Sequence, residues 1–77
     1  MDLETARTRF ESGDLEEALI EPADEGNGWM IVLRPRLGEP AKLTDHRGTE
    51  KVYHSLEHAT EVARDIGFDT VRVEERF

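Results

Sequence analysis

His54 and His58 stand four residues apart, with Glu57 and Glu61 beside them. On a helix that spacing presents two nitrogen ligands to one ion, as a zinc site requires. Two features oppose it. His54 precedes Ser55, which reads as a helix N-cap, so the pair is not wholly helical. No third ligand is set by spacing, and polar residues on a wet first helical turn account for all four. Acid–base catalysis needs a carboxylate or histidine in a dry pocket, but the acids here fall in patterns that read as exposed. Ser12, Ser55 and the threonines carry no nucleophile signature. Gly26 and Gly28 precede a strand, whereas a phosphate cradle sets its glycines between a strand and a helix. The expectation is no catalytic residue, no metal and no cofactor.

The basic–aromatic constellation is Arg34, Arg36, Arg47 and Lys51 with Trp29 or Tyr53. A basic sheet can lie in a nucleic-acid groove as β-ribbon readers do. The order of sheet then helix resembles small DNA-binding sheets of the plant transcription-factor and integrase-arm type. The plainer reading makes Arg34 and Arg36 guards of an edge strand and Trp29 a core residue.

Charge layout weighs against nucleic acid. Eighteen acids against ten Lys and Arg leave a net charge of −8 over 77 residues. Residues 1–26 hold nine acids against Arg7 and Arg9, and residues 55–77 hold six against three arginines. Residues 27–54 reverse the sign, with five cations against three acids. An acidic chain repels polyphosphate. Asp14, Glu16, Glu17, Glu21, Asp24 and Glu25 read either as a solvated surface or as an acidic ridge that docks on a basic partner by mimicking phosphates.

The elements that must position these residues follow from periodicity. Leu3, Ala6 and Phe10 share a helical face, which predicts a helix over 2–12 stopped by Gly13. Leu15 to Glu21 reads as a strand with a poor pattern, because Glu16 and Glu17 are adjacent. Asp24-Glu25-Gly26-Asn27-Gly28 reads as a hairpin loop. Trp29 to Arg34 is apolar on both faces, so it reads as a central strand. Ala41 to Asp45 and Thr49 to Tyr53 read as two short strands around the turn His46-Arg47-Gly48. Ser55 caps a helix carrying Leu56, Ala59, Ala63 and Ile66 on one stripe. Gly67 closes that helix, with Phe68 packing back. Thr70 to Glu74 alternate as a last strand with Val71 and Val73 inward.

The result is one α+β domain over residues 1–77. It is expected to be a small antiparallel sheet of four to five strands, with an N-terminal helix and a second helix before the last strand. A chain this short folds only marginally on its own, so a monomer or weak homodimer is expected. No cysteine is present. Small secreted domains usually need disulfide staples, so a reducing, cytoplasmic setting is expected. The start Met1-Asp2-Leu3-Glu4 is unlike a signal peptide, and the longest apolar run, Trp29 to Leu33, is too short for a membrane span.

A set of short pieces along the chain carries a resemblance. They are Phe10-x-x-Gly13-x-Leu15, Pro22, Gly28-Trp29, Leu33, Thr44-x-x-Arg47-Gly48, Tyr53-x-Ser55-Leu56-x-x-Ala59 and Ile66-Gly67-Phe68-x-x-Val71-x-Val73. Together they resemble a group of small uncharacterised proteobacterial proteins, some of which carry the loose label of plasmid replication protein. That resemblance implies a shared fold and a plasmid or mobile-element setting, and it brings no active site.

The function expected is a non-enzymatic protein-binding module that uses Arg34, Arg36, Arg47, Lys51 and Tyr53. Its rivals are a nucleic-acid module built on the basic 34–54 segment and an acidic inhibitor of a DNA-binding protein.

Overall fold

Helix α1 (Leu3–Glu11) begins where Asp2 accepts the Thr5 N–H at 2.8 Å. Asp2 is thus the cap and lies outside the helix. The helix ends as Gly13 turns to φ 81°, with the Asp14 N–H returning to the Arg9 carbonyl at 2.9 Å. The computed structural model describes residues 1–23 and 27–74. Of the expected hairpin loop Asp24-Glu25-Gly26-Asn27-Gly28, the first three residues lie outside those described, and the Ala23 N–H donates to the Gly28 carbonyl at 2.9 Å.

Strands β1 (Leu15–Pro22) and β2 (Trp29–Pro35) pair antiparallel and form the centre of a four-stranded sheet. The adjacent glutamates that spoil the β1 pattern have a structural cause. The register shifts between Leu15 and Glu17, so exposed Glu16 sits in a β-bulge. Beyond the bulge alternation resumes. Ala18 and Ile20, with Ile31 and Leu33 of β2, belong to the core under the helices.

The next two expected strands are one edge line with an interruption. β3 (Ala41–Lys42) pairs with Leu33 and Val32, and the Leu43 N–H reaches the Ile31 carbonyl at 2.8 Å. The chain then leaves β2 and turns through Thr44 to Val52. It rejoins β2 at Tyr53, which exchanges both backbone hydrogen bonds with Trp29, at 2.7 and 2.8 Å. Thr49 to Tyr53 is therefore held by single bridges, to Thr44 and Trp29, and forms no strand ladder.

Helix α2 (Leu56–Ile66) runs back across the sheet from this edge line. Ser55 caps it, accepting the His58 N–H at 3.0 Å. At its far end Gly67 takes φ 137°, and Phe68 folds back edge-on against Phe10, with ring centroids 4.8 Å apart. An ideal Cβ on Gly67 would overlap the Phe10 ring, so the residue is needed for space as well as for its backbone angle.

Strand β4 (Arg72–Val73) pairs with β1 at Leu19 and Ile20, and it is parallel. The sheet is thus mixed, in the order β3-β2-β1-β4: the α+β class, the four strands and the placement of both helices are as expected, and the expected antiparallel sheet is corrected at the β1–β4 pair alone. The reason lies in the edge–helix–strand sequence. The edge line runs opposite to β2, as β1 does; α2 returns the chain to the starting end, so β4 must run the same way as β1. Val71 packs on the core as expected, whereas Val73, at the sheet edge, is 37% exposed.

Both helices cover one face of the sheet. Ala6, Ala59 and Ala63 are fully buried there, and their small side chains let the helices lie close over Ile20, Ile31 and Leu33. The other face carries buried Leu19, Met30 and Val32, none of which belongs to that core cluster. Charged side chains on neighbouring positions form the border of this face. Among the described residues no helix is long and apolar enough to cross a membrane.

Candidate functional site

The excursion from Thr44 to Val52 is held to the two residues that lead into α1. The Thr44 N–H donates to the Met1 carbonyl at 2.8 Å, and Asp2 bridges Thr44 in parallel fashion. Asp45 organises the turn itself. One carboxylate oxygen, Oδ1, accepts the N–H groups of Arg47 at 2.8 Å and Thr49 at 3.0 Å. An aspartate accepting from backbone two residues on is a turn-forming device.

Between this turn, the start of α1 and the first half of α2 lies a groove of about 400 Å³. Leu3, Leu43, Tyr53 and Val62 give it an apolar floor, and Asp2, Glu4, Asp45, His46, Lys51 and His58 stand around the rim. His58 lies edge-on to Tyr53, with ring centroids 5.0 Å apart. Backbone donation governs two of the rim acids, Asp2 and Asp45. The Thr5 N–H holds Asp2 below its ordinary pKa, helped by the Thr5 hydroxyl and the nearby amino terminus and His46. The Thr49 and Arg47 N–H groups do the same for Asp45, with His46 and Lys51 adding to it. Burial pushes the Tyr53 phenol above 10.0. A carboxylate at or below its ordinary pKa is ionised at neutral pH, so Asp2 and Asp45 suit contact with a cation better than uptake of a proton.

No protein-family model, curated protein or solved structure matches this chain.

The five residues expected to make contacts are dispersed. Tyr53 is 7% exposed and belongs to the core, so its part in any contact is limited to the ring edge in the groove. Arg34 pairs with Glu17 at 3.4 Å across the sheet face away from the helices. Arg36 is exposed at the far end of α1, where its N–H donates to the Asp14 carbonyl at 2.7 Å. Arg47 and Lys51 are exposed on the excursion. Only Lys51 and Tyr53 meet in the groove.

The acidic ridge is divided in the same way. Asp14 pairs with Arg9 at 2.5 Å, and Glu17 takes Arg34 on one oxygen and Arg72 on the other, the latter at 3.2 Å. Asp24 and Glu25 lie outside the described residues. Of the histidine pair, His54 sits before the helix cap and His58 faces the groove. Among the described residues no three His, Asp or Glu side chains gather as a metal site.

Sequence reasoning missed Asp2, Leu3, Glu4, Leu43, Thr44, Asp45 and Val62 as groove residues. Two signals were present. Asp2 followed by Thr5 fits an N-cap, and Asp45 to Thr49 fits an aspartate-led turn. Neither reveals that the two segments meet.

Proposed function

We propose that the protein is a non-enzymatic binding module that recognises a partner protein through the groove between α1, the 44–52 excursion and α2. The observation that carries this reading is the combination of an apolar floor, Leu3, Leu43, Tyr53 and Val62, with the carboxylates of Asp2, Glu4 and Asp45 on its rim. Such a site suits a short partner segment that presents an apolar side chain next to a lysine or arginine. Dispersal of the basic residues supports this over the nucleic-acid reading, since Arg34 is neutralised by Glu17 and Arg36 stands far from Arg47 and Lys51. Pairing of Asp14 and Glu17 likewise weakens the phosphate-mimic reading. The resemblance to plasmid-labelled proteobacterial proteins adds a mobile-element setting to the proposal.

An amide NMR titration tests it with three probes: a blocked Gly-Arg-Leu-Gly peptide, its Gly-Glu-Leu-Gly counterpart and a short DNA duplex. Shifts confined to residues 2–5, 43–53 and 58–62, from the arginine peptide alone, are expected. Shifts from DNA centred on Arg36, Arg47 and Lys51 would replace this reading with the nucleic-acid one. No response to either peptide would remove the groove as a site.

A further inference from the structure

Leu37 is 86% exposed, far above any other large apolar side chain among the described residues. It sits at the tip of the β2–β3 connection, between Arg36 and Gly38. Gly38 takes φ 105°, a backbone angle that turns the loop sharply beside the leucine. Among the described residues Arg36 has no ion-pair partner. Arg36-Leu37 is therefore an apolar side chain next to a cation, held on a turn, and this is the chemistry that the groove fits.

The two features lie at opposite ends of α1. Asp2, at the start of the helix, lines the groove, while Arg36 is tied to Asp14 just past its end. Nine residues of helix set them about 13 Å or more apart at 1.5 Å per residue. The Leu37 loop cannot reach the groove of its own chain.

We infer that the occupant of the groove is the Arg36-Leu37 loop of a second copy of this chain, docked head to tail. This rests on the groove reading above. Leu37 enters over Leu3, Leu43 and Val62. Arg36 faces Asp2 and Glu4 on the α1 side of the rim, and Glu39, two residues beyond Leu37, faces Lys51 on the other. Each docked pair keeps one loop and one groove free, so the contact is heterologous and propagates as a ring or an open chain. Repulsion between copies carrying −8 each keeps the association weak.

Sedimentation equilibrium on the full chain, from low micromolar to millimolar, tests this. The average mass is expected to climb above one chain. Leu37→Ser, at a residue with almost no contacts to lose, is expected to weaken association at least about tenfold. Val62→Glu on the floor should do the same, with Glu4→Lys on the exposed rim as the substitute if Val62→Glu fails to fold. Mixing Leu37→Ser with the groove variant should restore association but stop it at pairs, because one chain supplies the groove and the other the loop. A wild-type chain of constant mass, or a mass increase untouched by Leu37→Ser, overturns the inference. The blocked peptide Pro-Arg-Leu-Gly-Glu, copying residues 35–39, separates the two readings. If it shifts groove amides of a chain that stays monomeric, self-docking falls and the groove stands; if it does not bind at all, both fall.

Discussion

Glu17 and Arg34 are register partners on β1 and β2, and their side chains meet at 3.4 Å over the sheet face that no helix covers. The second oxygen of Glu17 takes Arg72 of β4 at 3.2 Å, so one carboxylate separates two arginines. The stems of those arginines lie on the same face as Leu19 and Val32 and help to cover them.

Replacing Glu17 with Gln should leave two guanidinium groups facing each other. Partly exposed pairs contribute little, so the expected loss is about 0.5–1 kcal/mol in all. Urea unfolding at low and high salt measures it. The deficit should shrink in high salt, where repulsion is screened. A deficit independent of salt would count against the ion-pair account.

Gly67→Ala puts a methyl into the Phe10 ring and forces a positive φ on a residue with a Cβ. A loss of about 2 kcal/mol or more is expected from strain and disturbed packing together. Near-UV dichroism should also change as the Phe10–Phe68 contact opens. A thermal midpoint equal to wild type would show that Phe10 can move aside.

Tyr53 is the one tyrosine of the chain, so alkaline absorbance reports it alone. Its pKa is raised above 10.0 by burial, and the unfolded chain in urea should titrate near 10.0. Burial of the neutral phenol therefore stabilises the fold below pH 10, and that contribution is lost as pH rises through the higher folded value. Coincident titration curves with and without urea would place the ring in water.

Asp45 supplies the acid-side counterpart. Its folded pKa lies below the ordinary 3.8, so its contribution is complete above 3.8 and is lost as pH falls through the folded value. Asp45→Asn keeps an oxygen that can accept the Arg47 and Thr49 N–H groups but removes the charge. Its stability should fall less steeply than wild type on acidification below that range. Parallel curves from urea midpoints would mean that the charge of Asp45 plays no part.

Local chemistry was legible in the chain itself. Ser55 and Gly67 bound α2, Gly13 stops α1, and two-sided apolar spacing marks Trp29 to Leu33 as a central strand, because caps and periodicity act over a few residues. The α+β class follows from the order of those elements. What lay beyond reach depends on which strands become neighbours. Parallel β4, the broken edge line at Tyr53 and the meeting of Asp2 with Thr44 are contacts between distant segments, and short sequence windows carry no record of them. Charge shows this most plainly. In sequence the acidic and basic residues form separate blocks; the β1–β2 register sets Glu17 against Arg34 and cancels part of each, because a sheet interleaves segments that the chain keeps apart.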